Sequence, residues 1–395
     1  MAAGPSLGLA GWEGVATVST AIHVEVLPAR LGDCLLVECP RAEGPTWRML
    51  VDGGPPDTWP LLEARLRRLD PSDGHIDVAV ITHVDNDHIG GMLPFLASDL
   101  AAGVGDFWFN GRTHLPAPKG GSRSIDQGED VVAALLGLTP AGPGTPAEGG
   151  TVRHPHDGAR PWNEAFGRGP VDAGVTGGHI AVTVPDGPTI TVLSPTTERL
   201  ARLADTWSAA VRDALHGAER EVEVVTLAPL DDLGHLADRR TVRDASVPNG
   251  SSIALLVEHR GASVLLGADA YGTVLASALH GLARARGTPT VAVDALKLPH
   301  HGSQANVIAA LLAAAPASHY LVSTNGDVFH HPDDAAIARV VLDAPSGPTL
   351  WFNYRTPRTE RWADPRLIEQ HGHRVVFPDP AQPDAGAVID LPARP

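Results

Sequence analysis

The chain has 395 residues, 43% of them hydrophobic but only 5% aromatic, and it carries 30 Lys and Arg against 46 Asp and Glu, a formal charge of −16. That length and apolar content argue against a disordered chain and for a core packed from Ala, Val and Leu, most simply one decorated α/β domain. The charge argues against a protein whose whole surface grips nucleic acid, and leaves room for a local basic groove and for carboxylates that bind metal.

In chain order, the first twenty residues lack a basic segment followed by a continuous apolar one, so no signal peptide is expected. No apolar stretch approaches the ~20 residues that span a bilayer. A cytoplasmic protein without a membrane partner is therefore expected. "AIHVEVLPA" and "CLLVEC" alternate as strands around "RLGD", and "WRMLVDGG" is a third strand ending in a carboxylate and a glycine turn. Cys34 and Cys39 are five apart and would face opposite sides of a strand, which argues against a disulfide or a zinc knuckle. "TWPLLEARLRRLD" has helical spacing, "IDVAVIT" is a buried strand of the parallel-sheet type, and "HIGGMLPFLASDL" begins a helix.

From Asp106 to Val247 the pattern loosens into Pro/Gly-rich stretches around short helical pieces such as "EDVVAALLGL", with a strand in "TITVLSP" and a helix in "TERLARLADTWSAAVRDAL". This reads as an insertion, 106–247, carrying loops over a site within a domain of 22–350. Strands resume in "SSIALLVEHRGASVLLGAD", turning at "HRG", and in "VDALKLPHHGS" and "SHYLVST", with helices between them and in "HHPDDAAIARVVL". Residues 351–395 form an extension packed on the same domain. Strand-rich halves separated by helices suggest an αββα sandwich.

Chemistry concentrates where strands end. "THVDNDHIGG" places His83, Asp85, Asp87 and His88 in one loop, "LLGAD" puts Asp269 at a second strand end, and "LKLPHHGS" puts His300 and His301 at a third. Neutral imidazoles and carboxylates converging on one loop suit Zn, Mn or Fe, and two ions sharing a water clamp both oxygens of an acyl or phosphoryl centre. The order "DGG", "THVDNDHIGG", "GAD", "KLPHHGS", "HP" resembles the metallo-β-lactamase fold hydrolases. Within them it is most similar to the hydrolase domain of the DNA-uptake competence protein ComEC and its stand-alone relatives, over about Ile22 to Asp334.

The resemblance implies that His83 and Asp85 bind one divalent ion, Asp85 standing where most of the superfamily has a second histidine. It implies that Asp87, His88, a bridging Asp269 and one of the His300–His301 pair bind another, with His301 favoured as ligand and His300 as the neighbour that orients substrate or donates a proton. Asp87, His300 and His331 are the catalytic candidates. Where the superfamily has a further histidine, this chain reads "VPNGSS", with Asn249. Two imidazoles replaced by oxygen ligands make the first site harder, poorer for zinc and more open to Mn or Mg, and weak or empty at rest.

Around this set, Asp52 either hydrogen-bonds a ligand histidine or shapes a turn, and Lys297 is either a strand residue with a solvated tip or a phosphate contact. Ser303 and Asn110 complete the residues placed near ligand or substrate. Ser323, Thr324 and Asn325 bind an oxyanion or form a polar turn. "LWFNYRTPRTERW" interleaves Arg355, Arg358 and Arg361 with Trp351, Tyr354 and Trp362, as a base-stacking surface or as an edge strand with its charges in water.

Three functions follow from the resemblance and the departures from it. The first is a hydrolase of phosphodiesters, a nuclease or nucleotide phosphodiesterase with a nucleic-acid or nucleotide substrate and two divalent ions, Zn or Mn. The second is a hydrolase of a lactone, thioester, lactam or phosphocholine ester. The last is a non-catalytic scaffold, to which the six retained ligand candidates are opposed.

Overall fold

In the computed structural model, residues 19–70, 73–116, 159–174, 179–215, 227–345 and 347–394 are described. They form a mixed α/β fold with two mixed sheets. The helical piece expected at 129–138 lies outside the described residues. The first sheet has strand order β14-β1-β2-β3-β4-β5, with β1 Thr20–Val26, β2 Leu35–Cys39, β3 Trp47–Val51, β4 Val78–Val80, β5 Asp106–Trp108 and β14 Ala387–Pro392. The second is ordered β13-β12-β11-β10-β9-β8-β7-β6, with β6 Ala181–Thr183, β7 Thr189–Ser194, β8 Ala254–His259, β9 Ala262–Leu266, β10 Val293–Lys297, β11 Ala317–Val322, β12 Thr349–Phe352 and β13 Arg374–Val376.

Period-two alternation sends successive side chains of each strand to different cores. In β2 and β3, Leu35, Val37, Met49 and Val51 join Leu255, Val257, Val264 and Leu266 of the other sheet in one shared core. Leu36 and Leu50 face instead a cluster with Leu62 and Phe95, from helices α1 (Trp59–Leu66) and α3 (Met92–Ala97). On the second sheet, Leu256, Leu265 and Leu296 pack with Leu275, Leu311 and Ile337, from α7 (Gly272–Arg286), α8 (Ala309–Ala314) and α9 (Asp334–Asp343). Between these lie the short helix α2 (Asn86–Ile89), the longer α4 (Thr197–Leu215), and α5 (Leu233–Ala237) and α6 (Val247–Gly250).

Cys34 and Cys39 are free, buried, and in different cores, as their spacing predicts. Within the region 106–247, β5 pairs with β4, and β7 with β8. A boundary at 350 cuts through β12, and the residues after it supply β13 to one sheet and β14 to the other, against β1. β12 lies between β11 and β13, so the aromatic and basic run starts in a sheet interior and not on an edge. Its residues are used internally: Trp362 is fully buried, Arg361 pairs with Asp334, and Arg355 pairs with Glu360 and lies over the Phe377 ring. Among the described residues no helix is long and apolar enough to cross a membrane.

Candidate metal centre

β3 and β4 run parallel, as do β9, β10 and β11. Parallel pairing brings carboxyl ends to one edge of a sheet. Asp52 follows β3, Thr82 and His83 follow β4, Asp269 follows β9, and His300 and His301 follow β10. The two edges are tied together, with Ile253 N donating to Thr82 O at 3.0 Å and Ser323 Oγ to Gly32 O at 2.8 Å. Asp52, Ala268, His300 and His301 have φ of 59°, 44°, 48° and 53°. Left-handed backbone at non-glycine residues costs about 1–3 kcal/mol each and clusters where side chains must be aimed. Here His300 N bonds Ala268 O at 2.8 Å and Asp52 N bonds Val80 O at 2.9 Å, which holds the strained turns in place.

The paired glycines of "DGG" and "IGG" pack against each other. Gly53 N donates to His88 O and Gly91 N to Gly54 O, and a Cβ on Gly91 would fall 2.0 Å from Gly53 O. The strand-end turn and the site loop therefore touch backbone to backbone.

Asp52, fully buried, orients two imidazoles. Its Oδ1 accepts from Thr82 N at 2.8 Å, and its Oδ2 accepts from Thr82 Oγ1 at 2.7 Å and from His88 Nδ1 at 2.8 Å. Because the Thr82 hydroxyl donates to Asp52, it accepts from His83 Nδ1, at 3.0 Å. His301 Nδ1 donates to Ser323 O at 2.9 Å. All three rings are thus held with the proton on Nδ1 and the Nε2 lone pair turned inward, the arrangement of a metal-binding histidine.

His88 Nε2 and His301 Nε2 stand 3.3 Å apart, His88 Nε2 is 3.4 Å from Asp269 Oδ1, and His301 Nε2 is 3.4 Å from Asp87 Oδ2 and 3.6 Å from Asp269 Oδ1. Ligands about 2.0–2.1 Å from a tetrahedral ion lie about 3.3 Å from one another, close to the spacings of His88 and His301 with Asp269 on one side and of His301 with Asp87 on the other. His83, His88 and Asp269 also offer ligand atoms within 4.8 Å of one another, and His83 Nε2 is 3.6 Å from Asp85 Oδ2. His83 Nε2 and Asp269 Oδ1 are buried without a hydrogen-bond partner, as expected of atoms waiting for a cation. Asp269 reaches the other way as well, its Oδ2 lying 3.9 Å from His300 Nε2. A further His/Glu grouping, His23 with Glu25 and Glu38, differs: Arg65 and Arg48 already bond those carboxylates, which makes it an ion-pair network.

Charge at the centre is densely opposed. Burial disfavours the His88 cation, yet Asp269, Asp52 and Asp87 hold its imidazole well above the ordinary value, and against burial Asp269 and Asp33 push His301 up to about 9. Burial raises Asp269, but His301, His88 and His300 together carry it well below the usual carboxylate range, and Asp87 is lowered mainly by His88 and His301. The carboxylates at this centre thus favour positive charge on its imidazoles, and a bound cation would take the place of those protons.

His300 is half-turned from this cluster. Its Nδ1 lies 3.3 Å from Asp244 Oδ2, 3.2 Å from Asn306 Oδ1 and 3.4 Å from Asn249 Nδ2. His331 stacks edge-on at 5.2 Å between ring centroids from His300, and burial with the charges of His300 and His301 drives it well below its ordinary value, to a neutral ring.

Asn249 donates to Asp244 at 2.9 Å, and its buried Oδ1 has no partner. Lys297 does not have a solvated tip. It is buried and paired with Asp33, which also lies 3.3 Å from His301 Nδ1. Ser303 caps the histidine turn, its N bonding His300 O at 2.8 Å. Asn110 bonds the Val171 backbone through both amide atoms, at 2.8 Å each, so it braces a loop and is not free for substrate. The Ser323 hydroxyl is committed to Gly32, and Thr324 and Asn325 form a turn with Asp327.

Asp33, Asp244 and Asn306 were not singled out by sequence reasoning. Asp33 carried a signal, the Gly-Asp of "LGD"; a Cβ on Gly32 would lie 1.7 Å from Asp87 O, so this turn abuts the site loop. Asp244 and Asn306, in "RDAS" and "QANV", carried none. Compared with known proteins, the chain matches no family model and no curated relative.

Proposed function

We propose that the chain is a metal-dependent hydrolase of phosphodiesters, of the nuclease or nucleotide phosphodiesterase type, on an αββα sandwich of the metallo-β-lactamase kind. In support of the sandwich, the two sheets share one core and helices pack on the other side of each. The observation that carries the activity is the donor set, in which Asp85, Asp87 and Asp269 stand with His83, His88 and His301 around neighbouring positions. Such an oxygen-rich set suits a hard divalent ion, Mn or Zn, and phosphoryl oxygen as its substrate. The half around His83 and Asp85 is the weaker one, because the Asp85 side chain is 32% exposed.

Divalent ions bound there would supply Lewis acidity and a water of lowered pKa. The protein's own residues do the rest. Asp52 fixes the tautomer of His88 and, through Thr82, of His83, so that no reorganisation is needed during turnover. His300, held through Nδ1 by Asp244, is the acid that delivers a proton to the leaving oxygen. Neutral His331 beside it lines the path of the leaving group.

The test is cleavage of labelled single- and double-stranded DNA and of bis(p-nitrophenyl) phosphate by metal-stripped protein refilled with Mn, Mg or Zn. Metal-restored cleavage that is abolished in Asp269→Asn supports the reading. Metal bound with no phosphodiester cleaved overturns it.

A further inference from the structure

A cavity of about 300 Å³ adjoins the metal centre and is lined by Arg199 and Arg202 of α4, by Arg243 and Asp244, and by Tyr271 and Thr273 at the start of α7. It meets the centre through Asp244, whose carboxylate forms part of its wall and also lies 3.3 Å from His300 Nδ1. Among the described residues lining it, three arginines accompany one carboxylate, in a chain whose overall charge is −16. Asp244 is itself held by Asn249 and Asn306, at 2.9 and 3.1 Å, so its charge is directed to the centre.

The guanidiniums are held to different degrees. Arg202 is bonded to Glu198 at 2.7 Å, whereas no ion pair to a carboxylate is formed by Arg199 or Arg243 among the described residues. The Arg199 guanidinium carbon lies over the Tyr271 ring, 4.5 Å from its centroid, and the Tyr271 hydroxyl donates to Ser246 O at 2.5 Å. A guanidinium held over an aromatic face keeps N–H donors that can bond an oxyanion. Gly272 and Thr273 open α7, which has no side-chain cap and no acidic residue in its first turn, so the partial positive charge of the helix adds to that of the arginines.

We propose that this cavity binds a second phosphate of the substrate, adjacent to the one at the metal centre, so that the preferred substrate carries at least two phosphate groups. This rests on the phosphodiesterase reading for the identity of the first phosphate. Planar bidentate donors suit phosphate oxygens, and a carboxylate at the inner wall keeps that phosphate from sliding onto His300. The two sources of such a group are the next nucleotide of a strand and the terminal phosphate of a small nucleotide.

The experiment measures equilibrium binding of fluorescent octathymidylate and of thymidine 3′,5′-bisphosphate to the metal-free full chain. Its variants are Arg199→Gln/Arg243→Gln and, with the arginines intact, Thr273→Glu; thermal unfolding confirms that both fold. Hydrolysis of bis(p-nitrophenyl) phosphate, which has one phosphate, is measured on the same proteins with Mn. Binding of at least one two-phosphate probe should weaken about tenfold in both variants, with the loss exceeding that on bis(p-nitrophenyl) phosphate. Tighter binding of octathymidylate identifies a strand as the source, and equal binding a small nucleotide. Arginine-dependent binding in a protein that cleaves no diester sinks the hydrolase reading and leaves the cavity assigned. Cleavage by a protein whose folded variants bind both probes like the wild type, or a wild type that binds neither, overturns the cavity proposal.

Discussion

His88 and His301 face each other with their Nε2 atoms 3.3 Å apart, while their Nδ1 atoms are bonded to Asp52 and to the Ser323 carbonyl. With both Nδ1 atoms engaged outward, the two Nε2 atoms face one another across a position that would suit a cation. His301→Ala should therefore weaken metal binding by more than about 100-fold, beyond what loss of an outer partner costs, while His300→Ala weakens it less. Metal competition titrations of the two variants check the order, and the reverse order would make His300 the ligand.

Asp52 holds both the outer nitrogen of His88 and the Thr82 hydroxyl. Asp52→Asn keeps the shape and loses the charge, and it should lower metal affinity by about 10–100-fold. A chelator titration reads this directly.

Lys297 and Asp33 form a buried ion pair beneath His301. Removing one partner leaves a buried charge, so Lys297→Met should cost about 3–5 kcal/mol of stability. The double variant Asp33→Asn/Lys297→Met should cost less than the sum of the single changes, as measured by urea unfolding.

His23 sits far along the fold from this chemistry, between Glu25 and Asp390, 3.2 and 2.8 Å away. Although burial opposes its charge, these carboxylates push it up to about 9 from an ordinary 6.5. The folded state then binds a proton the unfolded state releases, so the stabilisation is complete below pH 6.5 and is lost as pH rises towards 9. Its slope is at most about 1.4 kcal/mol per pH unit. Unfolding midpoints across that window should fall for the wild type and fall less for His23→Gln.

Much of the candidate metal centre was legible because the side chains gathered there follow strands that periodicity reveals: His83, Asp269 and His301 each lie within four residues of a strand end. The spacing of "DGG" from "IGG" hid a contact, since nothing local says that Gly53 and Gly91 touch. Asp244 and Asn306 sit in polar turns of ordinary composition, and only the fold brings them to His300. The alternation after Leu350 was read as an edge strand because periodicity reports exposure of a face and not the position of a strand in its sheet; Trp362 lies in the core instead. Asp106–Trp108, only three residues long, is too short for its pairing with β4 to be read from pattern.

The most direct test of the two-ion phosphodiesterase is to count metal and cleavage together. Metal-stripped wild type and Asp87→Ala would be titrated with Mn while bis(p-nitrophenyl) phosphate hydrolysis is followed at each addition. The account predicts two equivalents in the wild type, a tight one and a weaker one, with activity rising over the weaker, and loss of the tight equivalent and of activity in Asp87→Ala. Wild-type protein that binds no metal, or an Asp87→Ala variant that cleaves as fast as wild type, would contradict it.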